Sequence, residues 1–315
     1  MNICLDMMGG DYAPLEAVKG VKSYLENASS DVNLMLTGDE NALHPLLNQF
    51  GLNSEKIRVI HAPEVIGYHE HPTKALKEKT NSSIAIGFQL LATGKADAFI
   101  SAGNTGAMLV GALFSIKTIQ GVIRPTISTV IPKENGGTGL LLDVGLNADC
   151  KPEQLNQFAL LGSLYAKHIL DINTPRVALL NIGEEEGKGN LLAQSSYPLL
   201  KENKDIHFTG NVEGRDILLD KADVMVCDGF TGNVVLKMAE SIFDITHRKK
   251  IQHEYFDRFD YENYGGTPVL GVSKPVVIGH GISHSKAFAN MIRLAEKMIR
   301  TGLLEKMRIA FEANQ

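Results

Sequence analysis

Short apolar runs alternate along the chain with longer stretches in which apolar positions recur at helical spacing. The runs at residues 2–6, 32–38, 56–62, 97–102, 139–145, 176–183, 205–210, 223–229 and 276–281 predict strands. Several are apolar throughout, as expected of strands buried on both faces of a parallel sheet. Helical spacing occupies residues 14–26, 82–93, 107–117, 152–169, 191–201 and 234–247, with Asn104 and Pro152 as capping or first-turn residues. Strand-then-helix order specifies βαβ units, and hence an α/β fold with a largely parallel sheet covered by helices on both faces, Rossmann-like and three-layered. No Pro- or Ser-rich linker breaks the chain, so a single α/β catalytic domain over residues 1–315 is expected. Within it, residues 238–263 read as a protruding helical arm. Apolar Met238, Ile242 and Ile245 run there into a basic H-R-K-K cluster and the aromatic stretch around Tyr255, Phe256 and Phe259.

Composition sharpens this picture. With 44% hydrophobic and 21% charged residues, the chain can bury a sizeable core. A net charge of −5 supplies no basic field, so nucleic acid is not an expected partner and anionic ligands must be caught locally. The 238–263 arm is itself net −2, a weak electrostatic anchor for a membrane. Cys4, Cys150 and Cys227 are odd in number and form no C-x-x-C, which points to a reducing compartment and to no zinc site. The amino terminus lacks a signal-peptide pattern, and no run reaches the roughly 18 apolar residues of a membrane span.

Candidate chemistry lies where the apolar runs end. Five times a run gives way to Gly and Asn beside a charged or hydroxyl residue, at residues 101–107, 143–147, 181–190, 209–215 and 227–234. Glycine lets the backbone turn and approach a ligand, and Asn tolerates the left-handed region; the same loops can also simply close βα turns. Backbone N–H groups at Gly9-Gly10, at Gly103 to Gly106 and at Gly229 to Asn233 are placed for helix N-termini, where free donors and the helix dipole favour phosphate. Lys188 and Arg215 add cations nearby.

Several chemistries lack their signatures. There is no G-x-G-x-x-G after a strand, no H-E-x-x-H and no G-x-S-x-G. The stretch G-E-E-E-G-K-G-N from Gly183 is one residue short of a P-loop and puts Gly189 where a hydroxyl should hold Mg²⁺. Cys227 follows an apolar strand, but with no neighbouring cation in sequence it reads as a small buried hydrophobe.

The segments D-M-M-G-G-D from Asp6, S-A-G-N-T-G-A from Ser101, D-V-G-L-N-A-D from Asp143, the Asn181 stretch, T-G-N-V-E-G-R-D-I from Thr209, C-D-G-F-T-G-N from Cys227 and Y-G-G-T-P-V-L-G-V from Tyr264 follow one another over nearly the whole chain. In that order they resemble the PlsX-type phosphate acyltransferases. The resemblance implies an architecture like isopropylmalate dehydrogenase and phosphotransacetylase. It implies reversible transfer of a fatty acyl group from acyl carrier protein to inorganic phosphate, giving acyl-phosphate for phospholipid (phosphatidic acid) synthesis without a cofactor or metal. It further implies a cytoplasmic homodimer, peripheral at the inner face of the cell membrane, that hands product to a membrane glycerol-3-phosphate acyltransferase. The arm of this chain is shorter than the segment many relatives place there.

Such a reaction suits the residues. A thioester already has a good leaving group, a thiol with a pKa of roughly 8.5, and phosphate is itself the nucleophile. The protein must hold phosphate, align it and stabilise an oxyanion. Lys188, Arg215, Asn233 and His280 are the expected catalytic set. Gly9, Gly10, Asp11, Gly103, Asn104, Thr105, Gly106, Asn147, Asn211, Gly229, Thr231 and Gly232 hold the phosphate or oxyanion. His280 is read either as the group that protonates the departing thiolate or as a packing residue of its turn. On the C-terminal helix Lys286, Arg293, Lys297 and Arg300 share one face, read as a docking face for the acidic carrier or as an ordinary solvated face. Two other readings stay open: a metal- and nicotinamide-dependent β-decarboxylating dehydrogenase of the same fold, and a non-catalytic anion-binding protein.

Overall fold

A computed structural model describes residues 1–29 and 31–313. Its strands are β1 (Asn2–Asp6), β2 (Asn33–Gly38), β3 (Ile57–His61), β4 (Ala98–Ser101), β5 (Thr126–Pro132), β6 (Thr138–Leu142), β7 (Arg176–Asn181), β8 (His207–Glu213), β9 (Val224–Val226), β10 (Thr267–Leu270) and β11 (Val276–Ile278). The helices are α1 (Leu15–Leu25), α2 (Glu40–Gln49), α3 (Pro72–Glu78), α4 (Ser83–Ala92), α5 (Thr105–Gly111), α6 (Pro152–His168), α7 (Leu191–Glu202), α8 (Gly229–Arg248), α9 (Glu254–Asp257), α10 (Ser285–Arg300) and α11 (Leu303–Glu312). They gather into two compact units, residues 1–117 with 261–300, and residues 118–260 with 301–315.

In the first unit the strand order is β3-β2-β1-β4-β11-β10, parallel except for β10 against β11. Ile3, Cys4 and Leu5 of β1 are fully buried, as a central parallel strand requires. Helix α1 packs on α10 so closely that a Cβ on Gly20 would come within 2.4 Å of Phe288 Cβ, and the Tyr24 hydroxyl donates to Glu296 at 2.7 Å. Helix α4 is capped by Ser82, which accepts from Ala85 N–H, and presents Gly87 to the ring of Phe99.

In the second unit the order is β5-β6-β9-β7-β8, parallel except for the β5–β6 hairpin. Gly162 lets α6 settle on Val224 and Leu142. At the N-terminal ends of these strands Lys133, only 2% exposed, reaches Asp223 at 2.6 Å and Asp220 at 2.9 Å, and Arg176 Nε reaches Asp223 at 2.9 Å. Burial alone would raise the Asp223 pKa, but the bonds from Arg176 and Lys133 prevail and hold it well below the usual carboxylate range.

Every expected strand is present, and the fold is the expected open, mostly parallel α/β sheet flanked by helices. The pattern missed the antiparallel strands: β5 is broken by Ser128 and Thr129, and β10 is four residues long. Helix α8 begins at Gly229 rather than Val234, because the Asp228 carboxylate accepts from Thr231 N–H at 2.8 Å and caps it there. The stretch expected as an arm is therefore divided. Its first half continues α8. Its aromatic half folds onto the β5–β6 hairpin, where Tyr255 donates to Pro132 O, Arg258 donates to Lys133 O at 3.0 Å, and Phe259 is buried.

Candidate functional site

Each unit places its Gly-rich segments at the C-terminal ends of parallel strands, where α/β proteins bind ligands. In the first unit the organiser is Asp6. It is buried at the end of β1 and accepts from Met8 N–H at 2.9 Å and from the Ser101 hydroxyl at 2.7 Å. Ser101 accepts in turn from Gly103 N–H at 2.9 Å, so one carboxylate braces the loops after β1 and β4 together. Burial pushes the Asp6 pKa up, and these bonds oppose the shift. The two loops touch: a Cβ on Gly9 would lie 2.5 Å from Gly103 N.

Around this core stand several of the expected residues. Asn104 caps α5, accepting from Ala107 N–H at 2.9 Å while its amide donates to Gly67 O at 2.8 Å. Its side chain thus fixes the turn from which Thr105 and Gly106 start the helix. Gly10 takes a φ of +107°, and Asp11 N–H donates to Gly281 O at 2.7 Å, joining the β1 loop to the turn that holds His280. His280 lies half-buried with its ring 5.2 Å from Tyr261. Tyr68, which no sequence motif marks, donates to Ala102 O at 3.2 Å; burial and the nearby Asp11 charge raise its phenol pKa.

Asp143 plays the corresponding part in the second unit. It is fully buried just beyond β6 and accepts from the N–H groups of Gly145, Leu146 and Asn147 and from the Asn147 amide at 2.7 Å. Burial raises its pKa against that array of donors. The chain then passes to α8. Gly229 N–H donates to Asn147 O at 2.7 Å, the Thr231 hydroxyl to Asp228 at 2.9 Å, and the Asn233 amide to Val144 O at 3.2 Å. Gly232 is obligatory here, because a Cβ would lie 1.8 Å from Asp143 O. Asn147, Gly229, Thr231, Gly232 and Asn233 are therefore brought together about Asp143. Cys227 is buried beneath them. Burial, then the charges of Asp228 and Asp143, push its thiol pKa well above the ordinary value, which disfavours the thiolate.

Beside the start of α8 opens a cleft of about 670 Å³. Leu155, Leu179, Leu192, Ile217 and Val235 give it an apolar lining, and Asp228, Thr231, Glu213 and Arg215 stand among its polar groups. Arg215 is 74% exposed at the side chain and pairs with Glu213 at 2.7 Å. Lys188 sits on the neighbouring turn, its stem against Gly183. Asn211 donates to Glu185 O at 2.9 Å and so holds the acidic turn in place, while Lys221 neutralises Glu184 at 2.6 Å.

On α10 Arg300 is held by Asp31 at 2.7 Å and Glu296 at 2.8 Å, whereas Arg293 is exposed and donates to Asn290 and Ser23 O. Lys297 is half-buried. Among the described residues no cluster of three or more His, Cys, Asp or Glu could hold a metal, and no helix is long and apolar enough to cross a membrane.

The organising aspartates were not among the expected site residues, yet their signal is in the sequence. Asp6, Asp143 and Asp228 each follow an apolar run and lie within three residues of a glycine.

The arrangement is that of an α/β protein whose glycine-rich turns gather at strand ends around buried aspartates. In fold the chain is similar to a phosphotransacetylase from Streptococcus pyogenes, with a TM-score of 0.67 at 17% identity over 95% of this chain and 94% of that one. A branched-chain phosphotransacylase from Enterococcus faecalis gives 0.64 at 16% identity over 95% and 99%. A family profile described as fatty acid synthesis protein matches residues 1–306. Phosphate acyltransferases of Dictyoglomus turgidum and Halothermothrix orenii are 43% and 45% identical, over 98% and 96% of this chain and 96% of each relative. The chain belongs to this family, the PlsX-type phosphate acyltransferases, whose members are transferases.

Proposed function

We propose that the protein transfers a fatty acyl group from acyl carrier protein to inorganic phosphate, supplying acyl-phosphate for phospholipid synthesis. The observation that carries this reading is the second unit's cradle. The buried Asp143 carboxylate fixes the loop after β6 through the N–H groups of Leu146 and Asn147, and Gly229 N–H ties that loop to the start of α8, above the buried thiol of Cys227. Such a site suits a nucleophile that arrives with the substrate. A phosphate oxygen attacks the thioester carbon. The tetrahedral oxyanion is stabilised by fixed donors; the C–S bond then breaks and the carrier leaves as a thiolate that takes up a proton. No acyl-enzyme is formed.

In this proposal the turns at Gly9 to Asp11, Gly103 to Gly106 and Gly229 to Asn233 hold phosphate or oxyanion, with Asn147 and Asn211 shaping them. Lys188 and Arg215 supply charge, and His280 protonates the departing thiolate. Arg293 and Lys297 of α10 receive the carrier, with a smaller part for the already paired Arg300. The exposed stripe Phe230, Val234, Met238 and Ile245 of α8 supports a homodimer. Cytoplasmic placement, peripheral contact with the inner face of the membrane and delivery to a glycerol-3-phosphate acyltransferase follow from the family reading. Incubating the purified chain with carrier-bound acyl thioester and phosphate, then trapping acyl-phosphate as the hydroxamate, tests the reaction. Phosphate-dependent hydroxamate is expected, and thioester loss that ignores phosphate would refute it.

A further inference from the structure

Beyond the cradle, the second unit contains a cleft that phosphate does not need. It is formed entirely within that unit, between the N-terminal turns of α7 and α8 and the ends of β7 and β9. Its volume of about 670 Å³ falls within the roughly 300–1,000 Å³ usual for small-molecule sites and far exceeds what one phosphate occupies. Leu179 and Cys227 are buried in its floor, and Leu155, Leu192 and Val235 complete an apolar wall. The polar groups lie at the turns: Asp228 and Thr231 cap α8, Arg215 with Glu213 follows β8, and Asn181 and Asn190 accept from the backbone N–H groups of Ile182 and Ala193. Ile182, which also lines the cleft, is 81% exposed, a large apolar side chain with nothing over it among the described residues.

A largely apolar hollow that opens beside a capped helix N-terminus matches a ligand with a hydrocarbon tail and a small polar head. We propose that this cleft is the acyl-chain site: the tail lies against Leu155, Leu179, Leu192 and Val235, the reacting carbonyl stays at the Asp228–Thr231 end, and the depth of the cleft sets the preferred chain length. Both carboxylates at this end are already engaged, Glu213 by Arg215 and Asp228 by the N–H and hydroxyl of Thr231. Ala193 on α7 and Val235 on α8 are the positions at which added side-chain volume shortens the hollow. The assignment rests on the acyl-transfer reading for its ligand.

The test uses straight-chain acyl N-acetylcysteamine thioesters of four, eight and twelve carbons, with binding to the full chain measured by calorimetry in phosphate-free buffer. In the unaltered protein, affinity should rise by up to about fourfold per buried methylene and level off when the cleft is full. Val235→Phe and, separately, Ala193→Leu should lower the twelve- to four-carbon affinity ratio at least tenfold. Affinity that ignores chain length in the unaltered protein overturns the proposal even if neither variant folds. An unchanged ratio in a variant with a native melting profile overturns it too. Parallel turnover with phosphate separates the two ideas. A chain-length-dependent series without phosphate-dependent turnover keeps the cleft and removes the acyltransferase reading, whereas turnover with a flat series does the reverse.

Discussion

The two units solve the same local problem with different degrees of closure. In the first, Asp6 braces two loops that press on each other, and the capping Asn104 is occupied at both ends of its amide. In the second, Asp143 gathers one loop onto the start of one helix, and a cleft remains open beside it. The first arrangement fixes donors in place, and the second fixes donors while leaving room for something larger. Rigidity and capacity are thus built from one device, a buried aspartate at a strand end, and differ in what is packed around it.

The sharpest way to break this comparison is Gly232→Ala. With backbone oxygen 1.8 Å from the new Cβ, nothing can move aside, so a loss of more than about 3 kcal/mol in urea unfolding and no measurable turnover are expected. Gly9→Ala strikes the closed unit, where Gly103 N and Asp6 Oδ2 lie at 2.5 and 2.6 Å; it should cost about 1–3 kcal/mol and distort both loops, with a fall in kcat for every acyl donor. Arg215→Ala removes an exposed charge beside the open cleft. Melting should be unchanged while the KM for phosphate rises about tenfold and that for acyl donor stays within a factor of two or so. Unchanged phosphate dependence would take Arg215 out of the site.

Titration contrasts the strand-end aspartates with Asp223. The native pKa of Asp223 is depressed, so its stabilisation is present above the unfolded carboxylate value of about 3.9 and is lost as pH falls through the native value. Asp6 and Asp143 have raised values and act in the opposite sense, weakening the fold as pH rises through their titration. Asp223→Asn should therefore flatten the acid limb of stability against pH, measured by denaturant unfolding between pH 2 and 6; an unaltered limb would show that the Lys133–Arg176 cluster contributes nothing there. The smallest effect belongs to Gly187→Ala on the acidic turn. No atom lies within 4 Å of its added Cβ, so stability should stay within about 0.5 kcal/mol.

How much of this was legible depends on whether the cause is local. Strands such as β1, β4 and β9 announce themselves because both faces are buried, and Asn104 as a cap is readable from one residue and the turn after it. The sequence pattern starts helix α8 late because Gly229 and Gly232 look like loop residues. Their reason for being glycine is the backbone of Asn147 and Asp143, far earlier in the chain. The cleft was illegible for the same reason: its wall draws on residues from Leu155 to Val235, and no short window contains both sides. Lys188 and Arg215 stand out in the sequence by charge alone, and the structure places Arg215, but not Lys188, on the cleft lining. The aromatic stretch at Tyr255 to Phe259 looked like a projecting surface because nothing in sequence shows that the β5–β6 hairpin covers it.

Helix α8 has a mechanical consequence of its own. Its twenty residues make a rod about 30 Å long, with Gly229 and Gly232 seated on the backbone of Asn147 and Asp143. A tilt of about 5° at that seat swings the far end through roughly 2–3 Å, as the length of the rod dictates. The bearing is two glycines wide, and every side chain from Val234 to Ile245 is aimed by it. Where the outer half of α8 points is thus set, to within the play of that joint, by the same turn that gathers the N–H groups of the cradle.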